Sequence, residues 1–300
     1  MTSISITATS PRRYMLNRDD GPTLQIVEWG STTPRVTIIL AHGLALSHGS
    51  WEDVAQLVVT ADPTVRVLAY DHRGHGESQS APASLELLAD DLAAVVSAFA
   101  PTGPIVLGGH SMGGMTLMAL AERHCAILGA RVIGAAFVAT GAGDILGRLM
   151  RRRIWSRLVS LALTAAPFLV IPSRPLLIVR QLTRGVLFGA RPYRHDLNRA
   201  VGQLARSDSR SVAELTRSIL SHDCYSSLER FACRVVVLAG SRDLLTPAHH
   251  ARAIHQRVPG SHLVVFQQSG HYLPYERRGE IAAHLLGLTL PMAHSGSDVA

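Results

Sequence analysis

The chain contains no lysine; all 29 of its basic residues are arginine. With alanine abundant, that reads as a coding bias rather than a functional choice. Cysteine is scarce, with three residues, Cys125, Cys224 and Cys233. Their odd number and wide spacing argue against a disulfide framework or a cysteine metal centre, and suggest a reducing, cytoplasmic compartment. Charged residues make up 17% of the 300 positions and hydrophobic ones 47%, a composition that excludes a disordered chain. No uninterrupted apolar run reaches bilayer-spanning length. Residues 1–14 are rich in serine and threonine and lack the apolar core of a signal peptide. The net charge of +7 invites a nucleic-acid partner, but its distribution argues otherwise. Residues 141–200 hold eleven arginines against Asp144 and Asp196, a local balance of +9, so the rest sums to about −2. The basicity belongs to one segment, and no nucleic-acid partner is expected.

What is present centres on Gly109-His110-Ser111-Met112-Gly113. The β-branched run Pro104-Ile105-Val106-Leu107-Gly108 before it reads as a buried strand. Behind it, Gly114-Met115-Thr116-Leu117 opens a helical stretch. A strand that becomes a helix within one or two residues strains the turning residue, and small neighbours let the chain pass close to itself. The turning side chain then projects at the top of the sheet. Here it is a serine, as at the nucleophile elbow of G-x-S-x-G enzymes.

Strand-like and helix-like runs alternate along the chain. Strands are predicted at 24–29, 36–40, 65–70, 105–107, 132–139, 235–239 and 262–267. Helices are predicted at 51–59, 85–99 with Ser84 as N-cap, 112–124, 247–257 and 280–288. Thr246-Pro247 reads as a hydroxyl cap followed by proline at the first helical position. This alternation implies an α/β fold with a mostly parallel central sheet covered by helices on both faces. The interval 141–228 breaks the alternation, with apolar helical patches and no clear strand. It is read as a helical lid inserted into a core formed by 1–140 and 229–292. The termini look loose, with 293–300 a disordered tail.

A serine hydroxyl needs a base, and the base needs an orienting acid. The run Val235-Val236-Val237-Leu238-Ala239-Gly240-Ser241-Arg242-Asp243 is a strand and a turn presenting Asp243. The next strand leads into Ser269-Gly270-His271, presenting His271. Both emerge at C-terminal strand ends, as Ser111 does, in the chain order Ser, Asp, His. Asp144, after the preceding strand, is the alternative acid. Ile38-Ile39-Leu40-Ala41-His42-Gly43-Leu44 places a His-Gly turn after an early central strand. The backbone N–H groups of Leu44 and Met112 are therefore the candidate oxyanion hole.

With His42-Gly43, Asp71-His72-Arg73-Gly74-His75-Gly76-Glu77-Ser78, the serine elbow, Gly240-Ser241-Arg242-Asp243 and Gly270-His271, the chain resembles serine hydrolases of the α/β-hydrolase fold superfamily. The resemblance runs from about residue 24 to 288, interrupted by the lid. It implies a catalytic triad of Ser111, Asp243 and His271, with no cofactor and no metal. It gives the segment from Asp71 to Ser78 a structural role. The reaction stays open, because the fold hosts many chemistries. Serine at the elbow disfavours the dehalogenase and epoxide-hydrolase branches, which resemble this chain but carry aspartate there. The absence of a His-Gly-Gly-Gly run disfavours the hormone-sensitive-lipase-like branch.

The lid combines Arg148, Arg151, Arg152, Arg153 and Arg157 with an apolar stretch, 158–171, broken by Pro167 and followed by Pro172, Pro175 and the apolar run 176–179. One reading is an ordinary lid whose arginines are solvated. The other is an interfacial lid that makes peripheral contact with an anionic membrane. Both imply an apolar pocket. The expected activity is hydrolysis of lipid-like acyl esters or thioesters, such as a monoacylglycerol, lysophospholipid or acyl thioester. The alternatives are a carbon–carbon bond hydrolase of the meta-cleavage type and a non-hydrolytic binding protein.

Overall fold

A strand presents successive side chains to opposite faces, so the unbroken apolar run at 36–41 can be buried only if helices cover both sides. The computed structural model, which describes residues 10–19, 21–145, 176–189 and 192–290, is built that way. Ile38 and Leu40 pack with Val54, Val58 and Leu285 in one apolar cluster. Ile39 packs in the opposite cluster with Leu88, Leu92 and Leu117.

The strands are β1 (Arg12–Asn17), β2 (Thr23–Gly30), β3 (Val36–Ala41), β4 (Val65–Tyr70), β5 (Ile105–His110), β6 (Val132–Val138), β7 (Arg234–Gly240) and β8 (His262–Phe266). They form one sheet in the order β1-β2-β4-β3-β5-β6-β7-β8. The pairs β1/β2 and β2/β4 are antiparallel and the rest parallel. The described helices are α1 (Glu52–Ala61), α2 (Leu85–Phe99), α3 (Met112–Arg123), α4 (Cys125–Arg131), α5 (Leu176–Leu187), α6 (Arg194–Leu204), α7 (Ser209–Leu220), α8 (Ala248–Arg257), α9 (Leu273–Glu276) and α10 (Arg278–Thr289). Side chains of α1 and α10 line one face of the sheet, and those of α2, α3 and α8 the other.

Between β6 and β7 the described residues form α5, α6, α7 and a 3-10 turn at Tyr225–Arg230, with a single isolated bridge, Gly143 to Asp223. The arginines from 148 to 157, the stretch 158–171, Pro172, Pro175 and the tail 293–300 lie outside the described residues.

Three sequence expectations need correction. Residues 12–17, where no strand was predicted, pair with β2, and the Arg12 guanidinium grips the Glu28 carboxylate at 2.8 and 2.5 Å. Thr246 is not the cap of α8: Pro247 stands at that position, and the Thr246 hydroxyl is directed to Asp243. Helix α4 was not predicted, since Leu128 is its only buried side chain and gives it no apolar stripe. The Ser84 cap is as expected, its hydroxyl accepting the Leu87 N–H at 3.3 Å.

The Asp71–Ser78 segment is a tight turn. Asp71 accepts the backbone N–H groups of His48 at 2.6 Å and Glu77 at 2.9 Å. Gly76 sits at φ 56°, and any Cβ there would lie 2.1 Å from the Asp71 carboxylate. Arg73 makes a buried two-pronged pair with Asp91, at 2.8 and 2.7 Å.

Candidate active site

Ser111 stands between β5 and α3 at φ 53° and ψ −118°, a left-handed strained conformation for a residue with a side chain. Its surroundings over-determine it. The Ser111 N–H donates to Val138 O at 2.9 Å, and the Ser111 carbonyl accepts the Thr140 hydroxyl at 2.7 Å. Gly113 has to be glycine, because a Cβ there would lie 2.1 Å from Ala41 O. Gly109 is equally constrained, at 2.5 Å from the Gly113 backbone.

The three predicted side chains meet. His271 Nε2 lies 2.9 Å from Ser111 Oγ, and His271 Nδ1 lies 2.9 Å from Asp243 Oδ2. The carboxylate can only accept, so Nδ1 carries the hydrogen of the neutral ring and Nε2 accepts from the serine hydroxyl. The carboxylate on His271 is that of Asp243, not Asp144. His271 is 2% exposed and Asp243 4%, so their pairing is shielded from water. Asp243 also accepts the N–H groups of Leu245 and Thr246, both at 2.9 Å, and the Thr246 hydroxyl at 2.8 Å. Burial works against its charge, but the attraction of His271 and these bonds outweigh it and hold the carboxyl down at about 2.

The His42-Gly43 turn abuts Ser111. A Cβ on Gly43 would come within 3.2 Å of the Ser111 Cβ and 2.8 Å of His110 Nδ1. The turn is fixed by His42, whose Nε2 accepts the His72 N–H at 3.0 Å, so that its Nδ1–H donates to Gly43 O at 2.7 Å. Burial first, and then His72 and His75, push the His42 pKa well below its ordinary value. Leu44 follows in that turn and packs on the apolar cluster beneath α3. Met112, fully buried, heads α3, where helix geometry leaves backbone N–H groups without intrahelical acceptors.

Sequence reasoning missed three neighbours of the Ser111, His271 and Asp243 side chains. His110 Nε2 meets the His271 carbonyl at 2.9 Å, and since a carbonyl only accepts, that nitrogen carries the hydrogen. Burial, followed by repulsion from His271, lowers the His110 pKa to about 3, which keeps it neutral. Thr246 was legible only as a cap, although an Asp-x-x-Thr turn is a known way to tie a carboxylate to the backbone. Glu276 carried no local signal. Among the described residues there is no His, Cys, Asp or Glu cluster arranged to hold a metal ion. No described helix is long and apolar enough to cross a membrane.

Residues 38–284 match the family model of the alpha/beta hydrolase family, and the chain belongs to that family. It is 33% identical over 134 residues to the monoglyceride lipase of Rattus norvegicus, a match covering 39% of this chain and 44% of that protein. It is 34% identical over 133 residues to the monoacylglycerol lipase of Mycolicibacterium smegmatis, covering 39% of this chain and 47% of that one. These matches thus span less than half the length of either relative. A thermophilic esterase from Thermogutta terrifontis superposes with a TM-score of 0.72 over 91% of this chain and 96% of its own, at 23% identity, a likeness of fold.

Proposed function

We propose that the chain is a serine-dependent carboxylic ester hydrolase acting on lipid-like acyl esters or thioesters. The observation that carries the reading is the unbroken line of hydrogen bonds from Ser111 through His271 to Asp243, with the serine on a strained elbow. Ser111 Oγ attacks the acyl carbonyl while His271 Nε2 takes its proton. The imidazolium so formed faces the ionised Asp243 and then protonates the departing alcohol or thiol. Water, deprotonated by His271, hydrolyses the acyl-enzyme and restores the serine hydroxyl. The N–H groups of Met112 and Leu44 are assigned to the oxyanion. Gly43 beside Ser111 and the place of Met112 as the first residue of α3, where helix geometry leaves amides without intrahelical acceptors, support that assignment.

The acyl preference draws on the names of the two relatives and on Leu244 and Leu245, 65% and 42% exposed on the loop that carries Asp243. Peripheral contact with an anionic membrane is proposed from the arginine excess at 141–200, and would show as vesicle binding that weakens with salt. The test of the activity is a panel of p-nitrophenyl esters, monoacylglycerols, lysophospholipids, acyl thioesters and a meta-cleavage diketone, each given to the same folded preparation. Turnover of esters or thioesters is expected. Cleavage of the diketone alone would make it a carbon–carbon hydrolase, and saturable binding without turnover would make it a receptor.

A further inference from the structure

We propose that Glu276 is a positioning residue, a two-pronged tie that locks the inserted helices to the segment bearing His271. The inference rests on the reading of His271 as the general base. Glu276 closes α9, and its two oxygens serve two distant strands of backbone. Oε1 accepts the Gly270 N–H at 2.9 Å, and Oε2 accepts the Gly189 N–H at 3.0 Å. Gly270 immediately precedes His271, while Gly189 lies just beyond α5. A bond to a charged acceptor is about twice as strong as a neutral one, so one carboxylate makes a firm joint here.

The joint is close-packed. A Cβ on Gly189 would lie 2.3 Å from Gly270 N, and one on Gly270 would lie 2.4 Å from Gly189 N. Leu187 O at the end of α5 accepts the N–H groups of both His271 and Tyr272, at 2.9 and 3.0 Å. Arg242 donates to Gly189 O at 2.9 Å. From the opposite side His110 holds the His271 carbonyl. The backbone amide and carbonyl of the base are thus held by two separate elements, the end of α5 and the nucleophile strand. The α5 side is secured through Glu276. If that side slips, the imidazole leaves its 2.9 Å alignment with Ser111, although nothing that contacts substrate has changed.

Glu276→Gln tests this, because it keeps the side-chain size but leaves one acceptor for two N–H donors. The readout is kcat and KM for a soluble short-chain p-nitrophenyl ester, normalised to active sites counted by exhaustive fluorophosphonate labelling. We expect kcat per site to fall about tenfold or more with KM unchanged within about twofold, the signature of lost alignment. Gly189→Ala attacks the joint from the α5 side with Glu276 intact and should lower kcat in the same way; it decides the matter if Glu276→Gln does not fold. Wild-type kcat per site in both variants, or a raised KM with unaltered kcat, would overturn the tie. Failure of wild-type Ser111 to label would instead remove the base reading on which the tie depends, and both with it.

Discussion

Leu107 in β5 and Arg199 in α6 are held in place by opposite means. Leu107 is fully buried among apolar side chains, and any neighbour of similar volume would serve. Arg199 is held by directed bonds: to Asp53 at 2.9 Å, Glu52 at 3.0 Å and Gly49 O at 2.6 Å. The same contrast separates the sheet body from the part of the insertion around α6. Two extended apolar clusters hold the body together. Farther along the insertion Leu215, Cys224 and Leu228 join the first of these clusters, whereas around α6 the described residues form a small cluster of Leu46, Phe188, Leu197, Ala200, Tyr272 and Tyr275, supplemented by polar ties. Gln203 accepts the Ser47 N–H at 2.9 Å and donates to the Tyr275 hydroxyl at 2.8 Å, and Arg278 joins Asp53 to Asp196 at 2.7 and 2.5 Å. Apolar burial is non-directional and sums over area, so it fixes that the body folds. Hydrogen bonds are directional, so they fix where the insertion sits over the site.

The sharpest way to separate the two regions uses their acids, Asp243 at the end of a body strand and Asp144 at the start of the insertion. Asp243→Asn should lower kcat by about 10⁴-fold, by analogy with triad acids elsewhere. Asp144→Asn should leave kcat near wild type, and the reverse ranking would move the acid into the insertion. Next in size is Leu107→Ala, which should lower unfolding stability by about 2–5 kcal/mol in urea titrations through transfer and cavity losses.

Acid should weaken the body through several buried histidines, and the insertion through His222, whose pKa burial lowers to about 4. His42, His72, His75 and His110 are all buried in the body, and burial lowers their pKa values, with repulsion from neighbouring groups adding to it for His42, His72 and His110, to about 3 for His72 and His110. Unfolded histidine titrates near 6.5, so between there and about 3 the unfolded chain binds more protons and stability falls as pH falls. The slope should be about 1.4 kcal/mol per pH unit for each of His72 and His110. Asp243, depressed to about 2, adds acid loss only below the ordinary carboxylate range. A urea midpoint that does not move between pH 7 and 5 would contradict this. Smallest is Arg199→Ala, whose loss of partly exposed ion pairs should cost about 1 kcal/mol of stability. A loss as large as that of Leu107→Ala would erase the contrast between body and insertion.

The same contrast explains what the sequence made legible. The strand at Val65–Tyr70 and the helix at Leu85–Phe99 have the bounds read from their apolar runs, because burial on both faces of a sheet writes itself into local composition. The strained elbow and the residues at matching strand ends were legible because topology brings strand ends to one edge. Strand β1 was not, since it lies at the edge, alternates weakly and is secured by Arg12 on Glu28, sixteen residues away. Gln203 and Glu276 were not either. Ser47 lies 156 residues from Gln203 and Gly189 lies 87 from Glu276, and no local pattern records a bond over that span.

The central claim, that Ser111 is a nucleophile activated by His271, is tested most directly by covalent labelling. A fluorophosphonate incubated with the protein at pH 7 should leave a single adduct, located by peptide mass spectrometry on Ser111. Ser111→Ala should take up no label, lose about 10⁴-fold or more in kcat, and unfold at the wild-type urea midpoint. An unlabelled wild-type protein, or an adduct that persists in Ser111→Ala, would contradict the account.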